Sequence, residues 1–136
     1  MNERQQQSLM MQAGLRITDQ RLALSALLFA DEQPRHVTAE EVYDEAKQQG
    51  VRMSLATVYN TLHRFTAAGL LREVQVDPGR VWFDTNVSEH HHMYDEDTGQ
   101  LTDIPAGSLG SVTLPKLKAN KQVNRIDLVI RIGTRN

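Results

Sequence analysis

The chain has 136 residues, a formal net charge of −2 and no cysteine. A chain of this length forms one compact unit or two small ones, and the lack of thiols excludes disulfides, thiolate metal sites and cysteine nucleophiles. No apolar run approaches the roughly 20 residues that cross a bilayer, and the polar residues 1–12 lack the apolar core of a signal peptide. We therefore expect a cytoplasmic protein that does not associate with membranes.

Charge is distributed unevenly along the chain. The segment between Glu45 and Glu73 contains no acidic residue. Its basic residues are Lys47, Arg52, Arg64 and Arg72. A surface that faces DNA phosphates needs a segment without acids, although a chance gap in the acids explains the pattern equally well when it is considered alone.

Helix signals dominate the first half of the chain. The helices predicted from apolar spacing, caps and terminal glycines cover about residues 5–13, 19–30, 39–49 and 55–68. Thr38 with Glu41 three residues later forms a capping box, and Ser54 is a favourable N-cap for the fourth helix. The residues at helical spacing on the apolar face of that fourth helix are Leu55, Val58, Leu62 and Phe65.

The pattern then changes from helices to strands. Residues 70–76 and 80–84, joined by Asp77-Pro78-Gly79, predict a hairpin. Three helices followed by a two-stranded hairpin is the element order of a winged helix, in which the last helix enters the major groove of DNA. The sequence therefore predicts an α+β fold that begins with a winged-helix DNA-binding domain over residues 1–86.

The outer face of the predicted recognition helix is polar. It offers Ser54, Thr57, Asn60 and Arg64, with Tyr59 at its flank. Asparagine pairs with adenine, threonine and tyrosine offer apolar contact to a thymine methyl, and arginine binds guanine or phosphate. A solvated helix face is the alternative, but the helix order, the hairpin and the missing acids favour binding to double-stranded DNA.

A second region, residues 87–136, is predicted to be a small α/β domain for dimerisation and effector sensing. Short strands are expected over residues 93–95 and 101–104, and the alternation over residues 125–132 predicts a strand with one buried face. The region has too few large apolar side chains to form a stable core alone. We therefore expect a homodimer, which would also present two recognition helices to a palindromic site.

Three consecutive histidines, His90, His91 and His92, form the second chemical feature. In an extended segment alternate side chains point to opposite faces, which separates His91 from the other two. Neutral imidazole binds iron, zinc and manganese and also serves as an axial ligand of haem. The cluster predicts a site for a metal ion or for haem, and a solvated polar loop is the alternative.

A family resemblance follows from these segments. Residues 34–74, and above all SLATVY at 54–59 with HVTAE at 36–40, resemble the ferric uptake regulator superfamily. Asn60, the run WFDTNVSEHHH at 82–92 and Asp103–Pro105 are similar to its iron response regulator branch. The resemblance implies a dimeric repressor or activator that acts on A·T-rich operators of iron and haem genes. It also implies that Arg16 enters the minor groove while Thr57, Tyr59 and Asn60 work in the major groove.

The same resemblance implies a second possible effector. A metal-sensing site between the two domains falls on His36, Asp84, His91 and Asp103, and its ion would be Fe²⁺, Mn²⁺ or Zn²⁺. Met93 stands where a further histidine of that site is expected. The cysteine pairs that hold structural zinc in other members are absent, so we expect no cysteine-ligated zinc, and a bound haem would have to use the histidines.

Enzyme signatures are missing from the sequence. It has no HExxH helix, Ser-His-Asp arrangement, phosphate-binding loop or dinucleotide fingerprint, and a storage module for metal or haem would not need a recognition helix. We predict a non-enzymatic DNA-binding transcription regulator of iron and haem homeostasis that responds to haem or, in the alternative interpretation, to a divalent metal.

Overall fold

The computed structural model describes residues 2–31 and 33–136 of the chain. These residues divide into two compact units, residues 1–87 and 88–136. The division falls one residue from the boundary expected from the sequence, and the separate roles assigned to the two domains stay predictions.

The first unit contains the four predicted helices: α1 (Glu3–Gln12), α2 (Asp19–Leu28), α3 (Ala39–Gln48) and α4 (Leu55–Ala67). The hydroxyls of Thr18, Thr38 and Ser54 cap the last three by accepting from the backbone N–H three residues further on, which satisfies a donor that the first helical turn leaves open. The predicted ends lie within two residues of the observed ones. No helix in the described part of the chain is both long and apolar enough to cross a bilayer.

A three-stranded antiparallel sheet completes the first unit. Its strands are β1 (His36–Val37), β2 (Arg72–Asp77) and β3 (Arg80–Asp84), in the order β1-β3-β2. Gly79, at φ +80°, closes the predicted hairpin between β2 and β3 in a conformation that glycine adopts without a steric cost. The winged-helix prediction and the α+β fold class are confirmed. The sequence did not predict β1, which places His36 opposite Asp84.

The helices and the first sheet share one hydrophobic core. Its buried residues are Met10, Leu24, Leu27, Leu28, Val37, Ala39, Val42, Ala46, Val58, Leu62, Phe65, Leu71 and Phe83. Leu55, predicted to belong to the buried face of α4, is instead 37% exposed, because it is the first residue of that helix and lies beyond the edge of the core. Arg72 is buried and does not contribute to the basic surface that the charge pattern suggested.

The second unit is built on another three-stranded sheet. Its strands are β4 (His90–Asp95), β5 (Leu101–Pro105) and β6 (Val129–Ile132), in the order β5-β4-β6, with a short 3₁₀ helix at Ala106–Leu109. β5 runs antiparallel and β6 parallel to the central β4. The last strand is shorter than predicted, and Ile130 and Ile132 are exposed on it in the single chain. The histidines lie on β4, so the alternative of a solvated loop is wrong.

Candidate metal centre and nucleic-acid interface

The alternation of β4 sorts the three histidines into two groups. His90 and His92 point to one face, where each is 4% exposed. His91 points to the other face, as the sequence predicted, and its Nδ1 accepts a hydrogen bond from the backbone N–H of Leu128 at 3.3 Å. In this structure His91 therefore anchors the segment that leads into β6.

Asp103 on the neighbouring strand β5 joins the buried pair. Its register partner is His92. The Asp103 Oδ1 atom lies 3.2 Å from His90 Nε2 and 3.4 Å from His92 Nε2, and the two Nε2 atoms lie 3.1 Å apart. Two imidazole nitrogens and one carboxylate oxygen thus form a nearly equilateral triangle within the second unit.

The backbone fixes which nitrogen of His90 faces that triangle. His90 Nδ1 lies 2.6 Å from the carbonyl oxygen of Ser88, and a carbonyl can only accept, so Nδ1 carries the proton. The neutral ring then has its lone pair on Nε2, directed at the triangle. A histidine that ligates a metal is commonly oriented in this way, by donating its other ring N–H to a backbone carbonyl.

The size of the triangle fits a small cation. The three atoms lie close enough together for one ion to bind all of them at about 2.1 Å, an ordinary metal–nitrogen and metal–oxygen distance. Two histidines and one carboxylate on one face of an ion leave its other positions open, an arrangement typical of Fe²⁺ and also suited to Mn²⁺ and Zn²⁺. The three residues have the chemistry of a divalent metal centre.

A further histidine–aspartate pair lies in the first unit. Strand pairing puts His36 Nε2 3.2 Å from Asp84 Oδ2. Asp84 is fully buried, and its Oδ1 accepts from the backbone N–H of Asn86 at 2.8 Å. A buried carboxylate is costly unless hydrogen bonds or a cation compensate its charge, so this pair is a second set of donors for a cation.

The arrangement on β4 differs from the metal-ligand set drawn from the resemblance. It brings together His90, His92 and Asp103, whereas His91 lies on the opposite face of the strand. Met93 also alternates away from His92, so its weak affinity for hard cations does not bear on this triangle. Strand alternation, already visible in the sequence, was the signal that could have identified His90 and His92 as the pair.

The geometry of the histidines supports the haem prediction less well than the metal alternative. Axial ligands on opposite sides of a haem iron stand about 4 Å apart, at roughly 2 Å from the metal each, whereas the buried Nε2 atoms are 3.1 Å apart. The cavity beside His90 and His91 has a volume of about 270 Å³, below the roughly 300–1,000 Å³ typical of pockets for drug-sized ligands. This geometry favours a small ion over a macrocycle.

The predicted recognition helix α4 presents most of its polar candidates to solvent. Asn60 and Arg64 are exposed one turn apart, and Thr57 is half-buried on the same side. The Ser54 hydroxyl caps the helix and lies 2.9 Å from the Thr57 hydroxyl, so both hydroxyls already have a partner. Arg16 is exposed between α1 and α2, with its carbonyl held by the Arg21 guanidinium at 2.8 Å.

Tyr59 is the candidate with the most fixed surroundings. It is half-buried against the core, and its hydroxyl donates to Glu40 Oε1 at 2.9 Å. That hydrogen bond, together with desolvation and the negative charge of Glu40, raises the pKa of Tyr59 above its ordinary value. His63, one turn further along α4, is exposed.

A comparison with protein families decides the affiliation of the chain. Residues 12–131 match the ferric uptake regulator family. The chain belongs to the ferric uptake regulator family. It is 40% identical over 93 residues to the ferric uptake regulation protein of Pseudomonas aeruginosa, covering 68% of this chain and 69% of the relative. It is 33% identical over 101 residues to the peroxide-responsive repressor PerR of Staphylococcus aureus, covering 74% and 67%. These relatives are regulators, in agreement with the prediction that the chain is not an enzyme.

Solved structures of the ferric uptake regulator family share the fold. The Pseudomonas aeruginosa regulator, solved with manganese, superposes with a TM-score of 0.71 at 27% identity and covers 96% of this chain and 98% of its own. The Vibrio cholerae regulator gives a TM-score of 0.73 at 24% identity, covering 93% and 98%. The winged-helix unit followed by a small α/β unit is thus the architecture of a ferric uptake regulator.

Proposed function

We propose that this ferric uptake regulator binds double-stranded DNA as a homodimer and senses a divalent cation, Fe²⁺ or Mn²⁺, through His90, His92 and Asp103. The observation that carries the proposal is the triangle of two imidazole nitrogens and one carboxylate oxygen with sides of 3.1 to 3.4 Å. His36 and Asp84, which the resemblance also implies as metal ligands, are a separate candidate pair within the first unit. Bound metal is expected to strengthen DNA binding.

Two considerations support a metal effector. The similar Pseudomonas aeruginosa regulator was solved with manganese, and the donors of this chain are nitrogen and oxygen atoms, which suit Mn²⁺ and Fe²⁺. The haem response, the iron response regulator branch, the iron and haem genes and the A·T-rich operator stay predictions from the sequence. Double-stranded DNA as a partner favours a cytoplasmic location.

The test starts from protein stripped of metal with a chelator. A random duplex library is selected on the protein with Mn²⁺, and the recovered duplex is titrated by fluorescence anisotropy with and without Mn²⁺. Allosteric coupling between two ligands typically changes affinity about 5- to 150-fold, and an increase in that range is expected here. Equal DNA affinity in stripped, Mn²⁺-loaded and Fe²⁺-loaded protein would remove the sensor from the proposal, and no selected duplex at all would remove the DNA-binding function.

The exposed face of α4 yields a prediction for DNA recognition. Asn60→Ala should weaken binding to the selected duplex by about 1–3 kcal/mol, as expected for a lost bidentate base contact, while leaving the helix as stable as before because alanine favours helices. Arg16→Ala should weaken binding to all duplexes. It should also reduce the slope of log affinity against log salt concentration by about one, because one phosphate contact is lost. Gln48→Ala, exposed near the end of α3, is the control, and an Asn60→Ala variant with unchanged selectivity would contradict the recognition assignment.

The apolar surface of the second unit supports the homodimer. Its large apolar side chains buried in the single chain are Tyr94, Leu101 and Ile104. Its large apolar side chains that remain exposed are Val112, Leu114, Leu117, Val123, Ile130 and Ile132. A unit that leaves more apolar side chains exposed than buried needs a partner surface, and a second copy of the chain is the simplest partner.

Disrupting that surface should separate the subunits. Ile130→Asp places a charge on the apolar edge of β6, so sedimentation at micromolar concentration should show a monomer where the unmodified chain is a dimer. Thr102→Asp, an equal charge on the exposed side of β5, should stay dimeric. A dimer that survives Ile130→Asp would place the subunit contact elsewhere.

A further inference from the structure

The phenol of Tyr59 is held at both ends. Its hydroxyl donates to Glu40 Oε1 at 2.9 Å. Its ring stacks on His63 one turn along α4, with centroids 6.3 Å apart and planes inclined by 18°. His63 in turn meets the fully buried Phe83 edge-on at 5.4 Å. The phenol is therefore fixed between a carboxylate and a ring that rests on the core.

The packing of α3 against α4 places Glu40 beside the Tyr59 hydroxyl. Thr38 caps α3, and Glu40 follows in the first turn of that helix, where a carboxylate interacts favourably with the helix dipole. α3 packs against α4, which brings the carboxylate to the tyrosine hydroxyl. An acid beside a DNA-reading surface opposes phosphate binding through its charge, so its presence calls for a compensating role.

The hydrogen bonds that the Tyr59 hydroxyl can make indicate that role. A tyrosine hydroxyl has one proton, and Glu40 accepts it. A phosphate oxygen or a thymine carbonyl can only accept, so the hydroxyl cannot donate to either while it remains bound to Glu40. The hydroxyl oxygen can still accept from a base amino group, but thymine offers no donor in the major groove. The ring is therefore the part of Tyr59 left for thymine, and an aromatic ring suits its C5 methyl group.

We propose that Glu40 is a positioning residue that determines specificity: it occupies the Tyr59 hydroxyl so that the fixed ring, and not the hydroxyl, contacts thymine methyl groups. The inference rests on the proposed function, because it needs DNA at α4. The raised pKa of Tyr59 agrees with it, since the hydroxyl stays protonated and keeps donating to Glu40.

A double-mutant cycle measured on two duplexes tests the proposal. The duplexes are the one selected by the unmodified protein and the same duplex with deoxyuridine in place of every thymidine, which removes only the methyl groups. Glu40→Ala should reduce the ratio of the affinities for the thymine and deoxyuridine duplexes about threefold to tenfold. This is the cost expected when a side chain that was fixed in the free protein must be immobilised on binding. Tyr59→Phe should produce the same loss, and the double variant no further loss, because both changes break one hydrogen bond.

Two controls separate positioning from charge. Glu40→Gln keeps a carbonyl acceptor for the hydroxyl and should retain the thymine preference. Glu41→Ala removes an equal charge from the same helical turn and should change affinity for both duplexes by the same factor. A pH titration followed by phenolate absorbance measures the pKa of Tyr59, whose signal is identified by its loss in Tyr59→Phe. Glu40→Ala should lower this pKa toward 10.0, whereas Glu41→Ala should leave it unchanged.

Several results would overturn the inference. Additive losses in the cycle would show that Glu40 and Tyr59 act independently. A Tyr59→Phe variant that loses equal affinity for both duplexes, while Glu40→Ala is neutral, would show that the hydroxyl contacts DNA directly. Metal-dependent DNA binding that is insensitive to Tyr59→Ala would refute this inference and leave the proposed function intact. If the unmodified protein binds no duplex, the proposed function fails, and the titration still decides whether Glu40 holds the phenol.

Discussion

His92→Ala is expected to abolish the stimulation of DNA binding by Mn²⁺. The substitution removes one corner of the triangle and leaves His90 and Asp103 as the donors of the second unit. Replacing a group that merely supports a metal ligand costs about 10- to 100-fold in metal affinity, so the loss of a ligand should cost about 100-fold or more. Competition with a fluorescent chelator measures that loss, and anisotropy with the selected duplex measures its consequence.

His91→Ala is the matched control for this prediction. It removes the same side chain from the adjacent position, but on the opposite face of β4, where His91 Nδ1 accepts from the Leu128 N–H. The variant should keep both metal affinity and metal-stimulated DNA binding, with a small loss of stability that circular dichroism detects. The reverse outcome, with His91→Ala losing the metal and His92→Ala keeping it, would restore His36, Asp84, His91 and Asp103 as the ligand set.

A hemin titration of the same variants tests the haem prediction. Since the two buried Nε2 atoms lie too close together to be axial ligands on opposite sides of one iron, we expect no stoichiometric six-coordinate spectrum. A ferric spectrum that disappears when His90, His91 and His92 are all replaced by alanine, together with release of DNA on adding hemin, would reinstate haem as the effector.

The helical part of the fold could be predicted because its signals are local. Thr38 and Ser54 cap the next turn of their own helices, and the terminal glycines lie within two residues of the helix ends. Strand β1 could not be predicted in this way: two residues, His36 and Val37, are too short to show an alternating pattern. These residues form a strand because they pair with β3, which is far away in the sequence. Local propensity cannot predict such a pairing.

The residue types of the candidate metal centre could be predicted from the sequence, whereas the grouping seen in the structure differs from the one implied by the resemblance. The resemblance indicated His91 with Asp103, and a shift of one residue along a strand moves a side chain to the opposite face. The register of β4 against β5 favours His92, because it puts that residue opposite Asp103. Alternation along the sequence already groups His90 with His92, but which face of β4 Asp103 shares depends on the register between strands and is visible only in the folded chain. The contact between Glu40 and Tyr59 could not be predicted either, because it joins two different helices.

The core of the first unit carries the other large expected effect. Phe65 is fully buried on α4, and Phe→Ala in a well-packed core costs about 3–5 kcal/mol through lost burial and the cavity left behind. Because a domain of this size is stable by only about 5–15 kcal/mol, Phe65→Ala should bring the DNA-binding unit close to unfolding. Urea denaturation followed by helical circular dichroism reports on this unit, since the described α-helices all lie within residues 1–87.

Leu55→Ala on the same helix separates burial from helix position. Leu55 is 37% exposed and alanine is at least as good a helix former, so its loss should cost well under the amount for Phe65. Phe65→Leu, which refills most of the volume, should recover the larger part of the stability lost in Phe65→Ala. Equal destabilisation by Leu55→Ala and Phe65→Ala would mean that the amino-terminal end of α4 is packed as tightly as its centre, against the burial seen in the structure.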